Sequence, residues 1–200
     1  MVQWVQRAKE NIFNSAAEKK FIDPITGKGP TSEVALSCLL VLYQNKRLIN
    51  WNAVPLYNLD RGREGTGNEL FSIDGYTFSE YALLCPTEED VKDWGNMRAD
   101  IMHFNNNLDK LDKVVLIENK IGGVFTFGSR PEDGQLARQL KYLMKYCSGE
   151  SYLVVLTLED MYKHGWYINE FKETVRFHKP PKNIKCRMML WEDIINYFSG

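Results

Sequence analysis

The chain has 200 residues, 25 basic and 26 acidic, and a formal net charge of −1. Apolar side chains make up 44% and charged ones 26%; these values exclude a wholly disordered chain, and the charge balance excludes a global positive field. No apolar run reaches the roughly 18 residues needed to span a bilayer, no signal-peptide core opens the chain, and Cys38, Cys85, Cys147 and Cys186 form no CxxC pair, so the expectation is a cytoplasmic protein with reduced thiols and no membrane partner.

Residues 2–20 read as an amphipathic helix, with Trp4, Val5, Ala8, Ile12, Ala16 and Ala17 near the helical period. Pro24 ends it, and residues 26–30, with two glycines and a proline, form a loop. Thr31 or Ser32 caps a second element with Glu33 in its first turn. Residues 34–42 are apolar nearly all round, which fits a buried helix and leaves a buried strand open. Residues 60–68 read as an exposed loop. Residues 71–73, the turn Asp74-Gly75 and residues 76–84 read as strand, turn, strand, followed by a polar insert over 86–93.

The clearest strand signals are residues 100–104 and 114–121, flanking a polar turn. The second strand is apolar on both faces before Glu118, as in a central strand covered by helices on each side. Ser129-Arg130-Pro131-Glu132 reads as a helix start, and the helix runs to about Tyr146. A buried strand over 152–158, a helix over 160–177, a strand over 184–190 and a terminal helix from Glu192 complete the chain.

The chemistry lies in the hairpin. With Phe104 placed opposite Val114, Asp100 falls opposite Glu118, and opposed residues share a face with Cβ atoms about 4.5–5.5 Å apart. Lys120 shares that face, about 6.6 Å further along. Asn119 points away, and His103 falls on the opposite face as a core or surface histidine. Two opposed carboxylates repel unless a cation joins them, and an all-oxygen set favours Mg²⁺ or Mn²⁺. A neighbouring lysine can hold an attacking water and offset developing negative charge, so the set suits metal-assisted phosphodiester hydrolysis. The string acid-x-Lys also occurs at Glu18-Lys20, Asp90-Lys92 and Glu170-Lys172; only Glu118-Lys120 ends an apolar strand preceded by a second acid-bearing strand.

Arg98-Ala99-Asp100-Ile101, then Val115-Leu116-Ile117-Glu118-Asn119-Lys120-Ile121, then a helix containing Gln135-Leu136, resembles the PD-(D/E)XK nuclease superfamily, with Ala99 where the proline of the first motif often stands. The resemblance implies an α/β fold with a restriction-endonuclease-like α/β/α core, a mixed central sheet flanked by helices, over 31–200, with 1–30 as an N-terminal helical extension. It implies Asp100 and Glu118 as metal ligands for Mg²⁺ or Mn²⁺, the Asn119 carbonyl as a third, and Lys120 as the water-orienting lysine. A further acid would come from the first core helix or strand: Glu33 by preference, then Glu80, then Glu69. Gln135 would lie near the reacting groups. Gln139 shares its helix face, and Arg138, Lys141 and Lys145 form a stripe that can contact phosphates. The implied activity is a nuclease, on DNA in the first place, in restriction or phage defence, with a homodimer or a partner subunit completing the grip. The alternatives are a catalytically inactive nucleic-acid- or protein-binding module on the same fold, and a metal-dependent hydrolase of another polymer or nucleotide.

Overall fold

The structure, a computed structural model, describes residues 3–71, 75–82, 97–105, 113–122 and 130–198. The expected polar insert over 86–93, residues 72–74 and the Ser129 cap lie outside them. Helix α1 spans Gln3–Glu18 and α2 spans Glu33–Asn45. Ser32 is the cap, its hydroxyl accepting from the Ala35 N–H at 3.1 Å. The strands are β1 Pro55–Tyr57, β2 Arg63–Thr66, β3 Gly75–Ala82, β4 Arg98–Asn105 and β5 Val114–Lys120. Helix α3 (Gln135–Tyr146), strand β6 (Ser151–Thr157), helices α4 (Glu159–Lys163) and α5 (Ile168–His178), strand β7 (Ile184–Leu190) and helix α6 (Trp191–Asn196) follow.

Among the described residues the strands form one mixed sheet of seven in the order β2-β1-β7-β6-β5-β4-β3. Strands β5, β6 and β7 are parallel, and β3, β4, β1 and β2 join antiparallel. Helices α3, α4 and α5 lie between successive parallel strands, the crossover that parallel pairing requires. Every residue of β5 and β6 is buried, as the two-sided apolar pattern demands. The hairpin register is the expected one: Phe104 pairs with Val114 and Ile101 with Ile117. Helix α1 buries Ala8, Ile12 and Ala16 in the same core as the sheet, and Phe21 packs edge-on to Trp191.

Four expectations change. Residues 60–68 are not all loop: Arg63–Thr66 pairs with Pro55–Tyr57, which in turn meets β7 through Tyr57 and Met188. These short strands lack apolar alternation and owe their existence to a distant partner. Phe71 lies outside any strand, with its ring 4.2 Å from Trp51. Residues 131–134 form a turn, and α3 starts only at Gln135 after Gly134. The helix expected over 160–177 is broken, because Gly165 (φ 76°) and Tyr167 (φ 65°) are left-handed and stop helical hydrogen bonding between α4 and α5.

Candidate active site

Beyond the Ile101–Ile117 pair the ladder between β4 and β5 is interrupted. The Asn119 N–H donates not to a main-chain carbonyl but to Asp100 Oδ2, at 2.7 Å. In an extended strand N–H and C=O of one residue point to the same edge, so the Asn119 carbonyl faces the gap where Asp100 sits. Asp100 and Glu118 therefore share one sheet face at the carboxyl end of β5, and Lys120 joins them with its Nζ 2.5 Å from Glu118 Oε1. Helix α3 closes this face from above: Gln139 Nε2 donates to Glu118 Oε2 at 2.9 Å. Glu118 and Gln139 are fully buried and Lys120 nearly so. Gln139 Oε1, also buried, has no hydrogen-bond partner among the described residues and can accept from water or substrate.

Burial pushes the Asp100 carboxyl up to about 7, and the Glu118 charge adds to it. Burial raises Glu118 as well, against the pull of the Lys120 ammonium and the Gln139 amide. For Lys120, burial acts to lower the pKa, yet the carboxylates of Glu118, Asp100 and Glu33 hold it above the ordinary value, so it stays an ammonium. The cluster holds two acids for one firmly bound proton or cation, an arrangement that added positive charge relieves.

The candidates for a further acid separate. Glu80 occupies the β3 position between the Ser79–Ile101 and Tyr81–Ala99 pairs, opposite Asp100. Its carboxyl is raised by burial and by the Asp100 charge, and lowered by Arg98 and Lys120, which places it within electrostatic reach of the site. Its backbone is left-handed (φ 51°), a conformation that costs a non-glycine residue roughly 1–2 kcal/mol and recurs at functional sites. Glu33, preferred from sequence, uses Oε1 to accept the Ile121 N–H at 2.7 Å and latches the start of α2 to the end of β5. Glu69 belongs elsewhere: its carboxylate accepts from the Thr66 N–H and from the Tyr152 hydroxyl, remote from Asp100 along the sheet.

On the other face of β5, the Asn119 side chain donates to Ser37 Oγ (2.9 Å) and to the Glu33 carbonyl (3.0 Å), and accepts from Trp191 Nε1 (2.8 Å). His103 lies on that face too, bonded to Thr77 Oγ1 at 2.9 Å, with burial pushing its pKa to about 4. Of the helix residues, Gln135 is buried one turn before Gln139. The stripe cations are held locally: Arg138 Nε donates to the Asp133 carbonyl, Lys141 to the Glu132 carbonyl, and Lys145 lies over the Tyr146 ring. Sequence reasoning missed the Asn119–Ser37–Trp191 network. The signal for it was present: an alternating strand must send residue 119 to the face opposite 118.

The donor chemistry fits a hard divalent cation. Asp100, Glu118 and the Asn119 carbonyl offer oxygen only, and a partial protein shell completed by water or phosphate oxygens is the habit of Mg²⁺. Among the described residues no group of three or more His, Cys, Asp or Glu side chains is assembled to hold a metal. Comparisons with family models, with curated proteins and with solved structures return no match for this chain.

Proposed function

We propose that the chain is a divalent-metal-dependent nuclease of the PD-(D/E)XK type, hydrolysing phosphodiester bonds, with DNA as the first substrate to test. The observation that carries this reading is the union of Asp100, Glu118 and Lys120 on one buried face where the β4–β5 ladder opens. Asp100, Glu118 and the Asn119 carbonyl would hold Mg²⁺ or Mn²⁺, which supplies a bound water of lowered pKa and neutralises phosphate charge. Gln139 fixes the Glu118 carboxylate, and Glu118 in turn fixes the Lys120 ammonium. That ammonium offers its donors to an attacking water and to the oxygens on which negative charge grows. The water gives up one proton to solvent as its oxygen forms the new P–O bond, the ester P–O bond breaks, and the leaving oxygen takes up one proton from solvent.

The test is cleavage of labelled single- and double-stranded DNA and RNA with Mg²⁺ or Mn²⁺ against EDTA, for the wild type and Lys120→Ala. A Glu118→Gln/Lys120→Met variant removes the pair without leaving a buried charge behind. Metal-dependent cutting by the wild type alone is expected; cutting that survives in both variants overturns the reading. A second reading, a binding module without catalysis, draws on the contacts Glu118 already makes, its Oε1 to the Lys120 ammonium and its Oε2 to the Gln139 amide. Calorimetry separates the two: an active site binds Mn²⁺ and loses it in Asp100→Asn.

A further inference from the structure

The sheet face that carries the acids continues past them along β3 and β4. Met102 and Phe104 follow Asp100 at two-residue steps, and the register sets Phe78 opposite Met102 and Tyr76 opposite Phe104. Tyr76 is 53% exposed and Phe78 39%, while Met102 and Phe104 beneath them are buried. The rings are ordered: Phe78 stacks on Phe104 at 5.6 Å with planes 16° apart, and Tyr76 lies 6.3 Å from Phe78 and 6.5 Å from Phe104. Among the described residues strand β3 ends the sheet order, so these rings stand on its margin. On the other side of Asp100, also two residues along, Arg98 is exposed on the same face. At the far end of β3 Tyr76 also borders a cleft of about 720 Å³, whose walls Gln44 and Asn45 belong to α2 on the opposite sheet face.

The row on this face thus reads cation, acid–lysine cluster, aromatic rings. Duplex DNA hides its base faces in the stack, whereas an unpaired base has a π-face to lay on a ring. A row of exposed rings beginning two residues from Glu80 meets the second kind of substrate and not the first. We propose that Tyr76 and Phe78 are a stacking platform for unpaired bases, and that the strand cut at Asp100, Glu118 and Lys120 is single-stranded nucleic acid threaded along β3. The proposal rests on the nuclease reading for the cutting step and adds the substrate class.

The test is binding without cleavage. Fluorescence anisotropy in EDTA compares labelled single-stranded DNA, single-stranded RNA and duplex DNA on the wild type and on Tyr76→Ala/Phe78→Ala. Stacking on an aromatic is worth enough that truncating both rings weakens single-strand binding at least about tenfold. Duplex binding stays as it was, and Tyr76→Phe/Phe78→Trp restores the single-strand affinity. In that variant the new indole is quenched when the oligonucleotide binds, a signal that a merely structural role does not give. The DNA and RNA arms identify the sugar. Single-strand binding that is absent in the wild type, or unchanged in the alanine variant, overturns the proposal. So does an equal loss on duplex, or a wild-type dimer that the alanine variant converts to monomer with nucleic-acid binding intact. Binding with these properties but no metal-dependent cutting keeps the platform and removes the nuclease; cutting of single strands that ignores both substitutions does the reverse.

Discussion

Strand β5 buries polar side chains on both faces, and the two faces resolve that burial differently. On one, Asn119 meets Ser37, the Glu33 carbonyl and Trp191, all uncharged partners that satisfy each polar atom of its amide. On the other, Glu118, Asp100 and Lys120 are ionisable groups crowded together, and the Gln139 amide oxygen has no partner among the described residues. A satisfied neutral network ties α2, β5 and α6 together and asks for nothing more. An excess of acid over cation is expensive in a protein interior, and a face kept in that state points to a ligand of opposite charge.

The contrast can be broken from either side. The largest effect is expected from Glu118→Gln/Lys120→Met, which should lower single-turnover cleavage by about 10²–10³-fold with a thermal midpoint close to wild type. Asn119→Leu should do the opposite. It strands the buried Trp191 N–H and the Ser37 hydroxyl, costing about 2–4 kcal/mol, and drops the midpoint by about 5–12 °C in a scanning calorimeter. Its main-chain carbonyl is retained, so cleavage well below that midpoint should persist.

Asp100→Asn sharpens the comparison through pH. Because the folded Asp100 keeps its proton up to about 7, whereas an unfolded aspartate releases it near 3.9, wild-type stability in EDTA should fall as pH rises from about 4 to 7. The asparagine variant should lack that fall, which amounts to at most about 4 kcal/mol by pH 8, read from urea midpoints, while losing Mn²⁺ binding. The smallest effect is expected from Gln139→Met. It removes a hydrogen bond to a carboxylate but also removes the orphaned amide oxygen, leaving a net cost of about 1 kcal/mol by the same urea assay. A rate loss of only a fewfold would accompany it, since Lys120 continues to hold Glu118.

What the sequence revealed follows from which signals are local. The hairpin register was legible because β4 and β5 are long, apolar and joined by a polar turn, so a one-residue slip would have put Glu118 on the wrong face. Strands β1 and β2 were illegible because Arg63-Glu64-Gly65-Thr66 has no apolar face and is ordered by pairing with β1, which leans on β7. Glu80 was ranked below Glu33 because its relation to the site depends on strand order and on a left-handed residue, neither of which has a sequence signature here. Glu33 looked the better candidate because it heads a buried helix; its carboxylate is instead used on the Ile121 N–H. Gln139 could be placed near the site but not assigned to Glu118, since that contact depends on how α3 docks.

The position of β7 bears on how a nascent chain would assemble. It leaves the ribosome after the other six strands, yet it lies between β1 and β6. A chain emerged only through residue 183 can already pair β3, β4, β5 and β6, and it already contains Asp100, Glu118, Lys120 and Gln139. What it lacks is a cover for the outer edge of β6, a strand buried along its whole length in the finished molecule, and a docking site for the β1–β2 hairpin. The moment before β7 emerges is therefore when this chain is most open to edge-to-edge aggregation and to capture by a chaperone.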